Sequence, residues 1–255
     1  MGQGLVRTPG DFGLAGLPPD DPALLDWLAS DFVQHEWSIK RLIRQIVLSA
    51  TYQQAALYEP VPESLGYAIR VPRRLTAEQL RDAMLCVSGS LTDKFDGPAI
   101  WPDLPNEVLE ANPAFLDDNE LKIKGWYPSP EADQLCRSLF LVQKRNTRIP
   151  ILETFDLPDN SVSCSRRGTS IVAPQAITML NGDLSVKSAR ALAGIVERET
   201  TDQPPESRVD RAFQLVLQRQ PTAEEEQACL PLLNSRGLTE FCRVVLNLTE
   251  FAYVD

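Results

Sequence analysis

Apolar residues recur at helical spacing along most of the chain. After Asp20-Asp21-Pro22, the residues Leu24, Leu25, Leu28 and Phe32 return every three or four positions. That spacing predicts a helix capped by Asp20 or Asp21 with Pro22 in its first turn. A second helix is predicted behind Ser38, with Ile39, Leu42, Ile43, Ile46 and Val47 as its stripe and Lys40, Arg41 and Arg44 as its wet face. Thr76 and Gln79 form a capping box that opens a third helix through Leu80, Ala83, Met84 and Val87. Pro174 suits the first turn of a short helix ending at Asn181-Gly182, and another helix is expected from about 184 to 198. Val209, Phe213, Val216 and Leu217 make one further stripe. Thr222 with Glu225 caps the next, ahead of Ala228, Leu230 and Leu233. Phe241, Val244, Val245 and Leu248 mark the last.

Period-two alternation is rare. Residues 137–145 are the best strand candidate, with Leu139, Leu141 and Gln143 alternating against Phe140, Val142 and Lys144, and a helical reading of the same stretch stays open. Loop is expected from there through 170. Residues 92–133 hold three lysines against ten acids and are rich in proline, which predicts a long surface excursion with little regular structure. Seven or more helices against one or two short strands give a mainly α class: a multi-helix domain with long irregular loops.

Composition narrows function by exclusion. The chain has 255 residues, a net charge of −10 and a pI near 4.7. So acidic a chain will not coat phosphate backbones. No apolar run reaches the roughly 18 residues that span a bilayer. His35 is the only histidine, so a zinc site of two or three histidines cannot be built from this chain. It stands at the polar end of the first predicted helix, where a solvated side chain is the simpler reading. The five cysteines, Cys86, Cys136, Cys164, Cys229 and Cys242, include no C-x-x-C pair, and so no covalent haem site. Most sit in apolar contexts and are expected to be buried as small hydrophobes. Cys164 is the exception.

Three charged groupings are candidates for chemistry. Asp11, in TPGDFG, can accept backbone N–H groups and hold its loop, or bind a cation; holding the loop is favoured. In PRRLTAEQLRDA, Arg73 and Arg74 precede the helix, while Glu78, Arg81 and Asp82 at i, i+3 and i+4 suit a surface ion-pair ladder. The segment ETFDLPDNSVSCSRRG puts Glu153, Asp156 and Asp159 within seven residues, followed by Cys164, Arg166 and Arg167. Arginine forks onto carboxylates could pin that loop. A ligand or Ca²⁺ could use the same oxygens, although the EF-hand spacing is absent. Cys164 could be an activated thiolate beside two guanidiniums, but no second histidine exists to serve it as base. The expectation is a structural network in which at least one of Arg73, Arg74, Arg166 and Arg167 reaches the 153–159 carboxylates.

Several stretches match one family in order: GQGLVRTPGDFGLAG with PALLDWLA, WSIKRLIRQIVLSATYQQ, VPRRLTAEQLRDAMLCVSG, SLFLVQKRNTRIPILETFDLPDNSVSCSRRGTSIVAPQAITMLNGD, and the closing CRVVLNLTEFAYVD. Together they resemble the planctomycete-specific, cytochrome-c-associated C-terminal domain known as domain of unknown function 1553. The resemblance covers nearly the whole chain apart from the acidic excursion at 92–133, and implies that residues 1–255 are one family domain: a motif-bearing core over 1–190 that carries the excursion, and a C-terminal helical part over 191–255. It implies a part of a large exported planctomycete protein, periplasmic or at the cell surface, whose other domains include a cytochrome-c-like module. It also implies an upstream helix with an Asn-Arg-x-Trp motif, absent from this sequence, which therefore reads as an N-terminally truncated fragment. An exposed apolar patch at Leu25, Trp27, Leu28 and Ile43 is expected as a result.

Two function classes remain. One is a non-catalytic scaffold or interaction module that packs against other domains of the full-length protein, with no cofactor of its own, no nucleic acid and no membrane span. The alternative is an extracytoplasmic enzyme acting on polysaccharide through loop carboxylates such as Glu153 and Asp156. Carboxylates engaged by arginines favour the first; two unpaired carboxylates in a cleft favour the second.

Overall fold

A computed structural model describes residues 2–93, 96–111, 125–145 and 147–254. The class is mainly α: thirteen helices among the described residues against one two-stranded sheet. The chain divides into two compact units. One comprises residues 1–74, 163–166 and 253–255; the other comprises 75–162 and 167–252.

In the first unit, α1 (Pro22–Gln34) begins where Asp21 accepts from the Leu24 amide at 2.9 Å. It ends at Glu36 and Trp37, both with left-handed φ of 55° and 59°, and Trp37 folds edge-on against Phe32 with centroids 5.3 Å apart. Helix α2 (Ile39–Val47) is capped by Ser38, which accepts from the Arg41 amide, and α3 (Ala50–Gln53) by Ser49. Strand β1 (Arg73–Arg74) pairs antiparallel with β2 (Tyr253–Val254) in the register Arg73 with Val254 and Arg74 with Tyr253. No described residue of this unit is buried. Trp27 and Ile43 are exposed, as the sequence predicts; Leu25 and Leu28 are half-buried.

Among the described residues, the second unit holds all those that are buried. Helix α4 (Ala77–Val87) starts with the predicted capping box, Gln79 N to Thr76 Oγ1 at 3.3 Å and Thr76 N to Gln79 Oε1 at 3.0 Å. Then come α5 (Asn106–Glu110), α6 (Glu131–Gln134), α7 (Pro150–Thr154), α8 (Ala173–Asn181), α9 (Asp183–Glu199), α10 (Pro205–Leu217), α11 (Ala223–Arg236), α12 (Leu238–Leu246) and α13 (Thr249–Ala252). Helices α9 and α12 make the most extensive packing, and α10, α11, α8 and α4 close around them. Leu80, Met84, Leu152, Leu192, Val196, Val209, Phe213, Phe241, Val245 and Leu246 are fully buried there. Each such side chain contributes roughly 1.5–3 kcal/mol of burial. Gly237, at φ 83° and ψ 170°, makes the abrupt turn from α11 into α12, a conformation open essentially to glycine alone.

Four sequence expectations change. Residues 137–145 form no strand. Ser138–Phe140 is a single 3₁₀ turn, after which Leu141 makes one isolated parallel bridge to Ile100. Alternation alone does not make a strand when the backbone groups lack a neighbouring strand to pair with. The stretch expected as loop up to 170 contains α7, started by Pro150 and anchored by buried Leu152. The acidic excursion is not all surface. Ile100 joins the main core, and Leu104 and Trp126 form a small second cluster in which Trp126 Nε1 donates to the Pro102 carbonyl at 2.7 Å. Residues 112–124 of that excursion lie outside the described residues. Among the cysteines, Cys136 and Cys242 are buried and Cys229 is half-buried, but Cys86 is exposed, because on α4 it lies off the face carrying Leu80 and Met84.

Candidate functional site

The carboxylate segment is built on α7. Leu152, Phe155 and Leu157 are buried and fix the turn, leaving Glu153, Asp156 and Asp159 to point elsewhere. Asp156 takes a left-handed φ of 64°, and the Leu157 amide closes back on the Leu152 carbonyl at 2.9 Å. That orientation lets both Asp156 oxygens accept from one residue fourteen positions on: Ser170 N at 2.8 Å and Ser170 Oγ at 2.7 Å. Gln175, itself buried, donates to Ser170 Oγ at 3.2 Å and to the Thr154 carbonyl at 3.0 Å. The loop 157–169 is thus clasped at its base by a carboxylate, a serine and an amide.

Arg148 supplies the guanidinium to the other two acids. Its Nη1 is 3.5 Å from Glu153 and its Nη2 3.0 Å from Asp159. Asp159 also accepts from the Ser161 amide at 2.8 Å, the main cause of a pKa below the usual carboxylate range, with Arg148 adding to it. Arg167 serves α4 instead, placing Nη1 2.7 and 2.9 Å from the two Glu78 oxygens. Burial alone would raise the Glu78 carboxyl; the Arg167 guanidinium and a backbone amide outweigh it, and the pKa is lowered.

The expected surface ladder of Glu78, Arg81 and Asp82 is therefore corrected. Glu78 pairs with Arg167, and Arg81 is buried. The Arg81 guanidinium donates to the carbonyls of Cys136 at 2.8 Å and Gln134 at 2.6 Å, and to Ser138 Oγ at 3.2 Å. Asp82, 3.6 Å from Arg81, accepts from both Ser138 N and Ser138 Oγ at 2.7 Å. Burial lowers the Arg81 pKa while Asp82 works against that shift. These two side chains of α4 take up the backbone groups of Gln134, Cys136 and Ser138, which would otherwise be left without a partner in a segment where Cys136 and Ser138 are buried.

The remaining candidates lie in the first unit. Arg73 and Arg74 form β1. In the opening loop Thr8, rather than the Asp11 carboxylate, is the tie: Thr8 Oγ1 donates to the Asp11 carbonyl at 3.1 Å and accepts from the Leu17 amide at 2.9 Å. Asp11 is exposed, and its carboxylate takes no hydrogen bond among the described residues. Cys164 is exposed, with its thiol donating to the Arg166 carbonyl at 3.2 Å. Arg166 lines a cleft of about 510 Å³ together with Gln3, Tyr58, Pro60, Pro62 and Pro72. Among the described residues no group of three or more His, Cys, Asp or Glu could hold a metal ion, and no helix is long and apolar enough to cross a membrane.

Each acid of the 153–159 segment thus meets a donor within its own unit. Chemically the arrangement pins a loop to α7 and α8. The sequence reading passed over Arg148, Ser170 and Gln175. Arg148 had a local signal, standing just ahead of the Ile149-Pro150 helix start and five residues before Glu153; Ser170 and Gln175 had none.

The family model described as PSD1: Protein of unknown function (DUF1553) matches residues 1–233. No curated protein matches the chain. No solved structure matches it either.

Proposed function

We propose, from the premise that the chain belongs to the DUF1553 family of proteins of unknown function, that it is a non-catalytic interaction module. Its partners are other domains of a full-length exported planctomycete protein, a cytochrome-c-like module among them. One observation carries this reading. The unit made by residues 1–74, 163–166 and 253–255 has well-capped helices and many apolar side chains, yet buries none of its described residues. Helices as short as α1 and α2 are marginal by themselves and draw their stability from packing an apolar face. Its exposed large apolar side chains, Trp27, Trp37, Ile39, Ile43 and Ile46 among them, are what an interaction surface offers a partner. The clasped carboxylates give further support, since Glu153, Asp156 and Asp159 are committed to Arg148 and Ser170 rather than standing unpaired, as glycoside hydrolysis would need.

Hydroxyl-radical footprinting tests the proposal. Oxidation of Trp27, Trp37 and Ile43 is measured in the 255-residue chain and again in the full-length gene product. Shielding of these side chains in the longer protein is expected. Equal oxidation in both would overturn the interaction reading.

A further inference from the structure

Helix α2 is folded with the three isoleucines of its apolar stripe facing outward. Ile39, Ile43 and Ile46, at i, i+4 and i+7, share one face, and they are 65%, 54% and 40% exposed. Trp37 and Leu48, one beyond each end of the helix, are each 65% exposed. The half-buried residues of the helix are Arg41, Leu42, Gln45 and Val47. Arg41 is held by an ion pair with Asp31 of α1 and reaches Gln45 Oε1 at 3.5 Å. Leu42 and Val47 are the only apolar residues of the helix that are half-buried, and the isoleucine row is turned toward water, which leaves most of the apolar stripe without the cover a surface helix has in a finished fold. The isoleucines therefore await a cover.

Charge selects the cover. Lys40 and Arg44, one turn apart, lie along one flank of the isoleucine row and are exposed. Neither makes an ion pair among the described residues, in a chain of net charge −10 whose Arg7, Arg41, Arg148, Arg167, Arg211 and Arg219 are all matched to carboxylates. A second copy of the chain would bring the same cationic flank to the contact, where like charges oppose. An anionic lipid surface would be repelled by the net charge of the whole. We infer that the α2 face receives an amphipathic helix of another domain, one whose apolar stripe is flanked by Glu or Asp. The inferred partner class rests on the interaction reading above and narrows it.

Two designed helical peptides provide the test. They share a leucine stripe at i, i+3, i+4 and i+7 and differ only in having Glu or Lys beside it. Fluorescence anisotropy measures their binding to the 255-residue chain. The Glu peptide should bind roughly tenfold tighter than the Lys peptide at low salt, with the preference shrinking as salt rises. The double variant Lys40→Glu/Arg44→Glu should reverse the order, and Ile43→Asp should lose both; circular dichroism confirms that each variant keeps its helices. Equal affinities, no binding of either peptide, sedimentation of the chain as a dimer that shields Ile43, or preferential binding to phosphatidylglycerol vesicles would each overturn the acidic-helix inference. Shielding of α2 in the full-length protein without a charge preference would sink only this inference. Absence of shielding would sink the interaction reading itself.

Discussion

Arg81 shows how far a side chain's role can depart from its sequence neighbourhood. Its spacing to Glu78 and Asp82 suits an exposed ladder, and its five donors suit a buried clamp equally well. The clamp wins because the backbone of 134–138 presents carbonyls that no strand takes up. Replacing Arg81 with methionine strands those carbonyls, and should cost roughly 3–5 kcal/mol in urea unfolding. Arg81→Lys should recover little, since an ammonium cannot span two carbonyls and a hydroxyl as the planar fork does. A lysine variant as stable as the parent would show that the clamp is charge alone.

At the scale of the element, α11 illustrates a cap that doubles as an electrostatic joint. Glu225 closes the capping box with Thr222, its Oε2 accepting from the Thr222 amide at 2.7 Å. It also meets Arg219 at 2.7 Å, and Arg219 reaches Glu250 of α13 at 2.6 Å. The Arg219 hydrogen bond, followed by the Thr222 amide, lowers the Glu225 pKa from 4.5 to about 2. A carboxyl whose folded pKa lies below its unfolded value stabilises the fold at higher pH, and that stability is lost as pH falls through the interval. The parent should therefore lose stability relative to Glu225→Gln between pH 4.5 and about 2, with a constant difference above that window. Chemical denaturation across that range checks it; a difference that instead grows above pH 5 would contradict the assignment.

Across the whole molecule, burial is distributed unevenly. Residues 75–162 and 167–252 contain the entire core, with α9 and α12 at its centre, while the other unit contains none of it. Local opening follows burial and contact density. Native-state hydrogen exchange should accordingly find the amides of α9 and α12 slowest and those of α1, α2 and α3 fastest. Comparable protection in α2 and α12 would contradict this.

The sequence by itself determined the longer helices, though not short ones such as α7. Stripes such as Leu80 with Met84, caps such as Asp21, Ser38 and Thr222, and the stop at Asn181-Gly182 are local signals, and local hydrogen bonds answer them. The family was legible too, since its motifs are contiguous stretches. Only the tertiary structure decided which apolar stripe would be buried: Leu80 and Met84 enter a core and Ile39 and Ile43 do not, although both stripes have the same period. It alone decided the partners of charge, giving Glu78 to Arg167 and Asp156 to Ser170 across gaps of 89 and 14 residues. The physical reason is common to both. Periodicity says that a face must be covered and a charge says that it must be answered, but which surface does either depends on contacts distant in sequence.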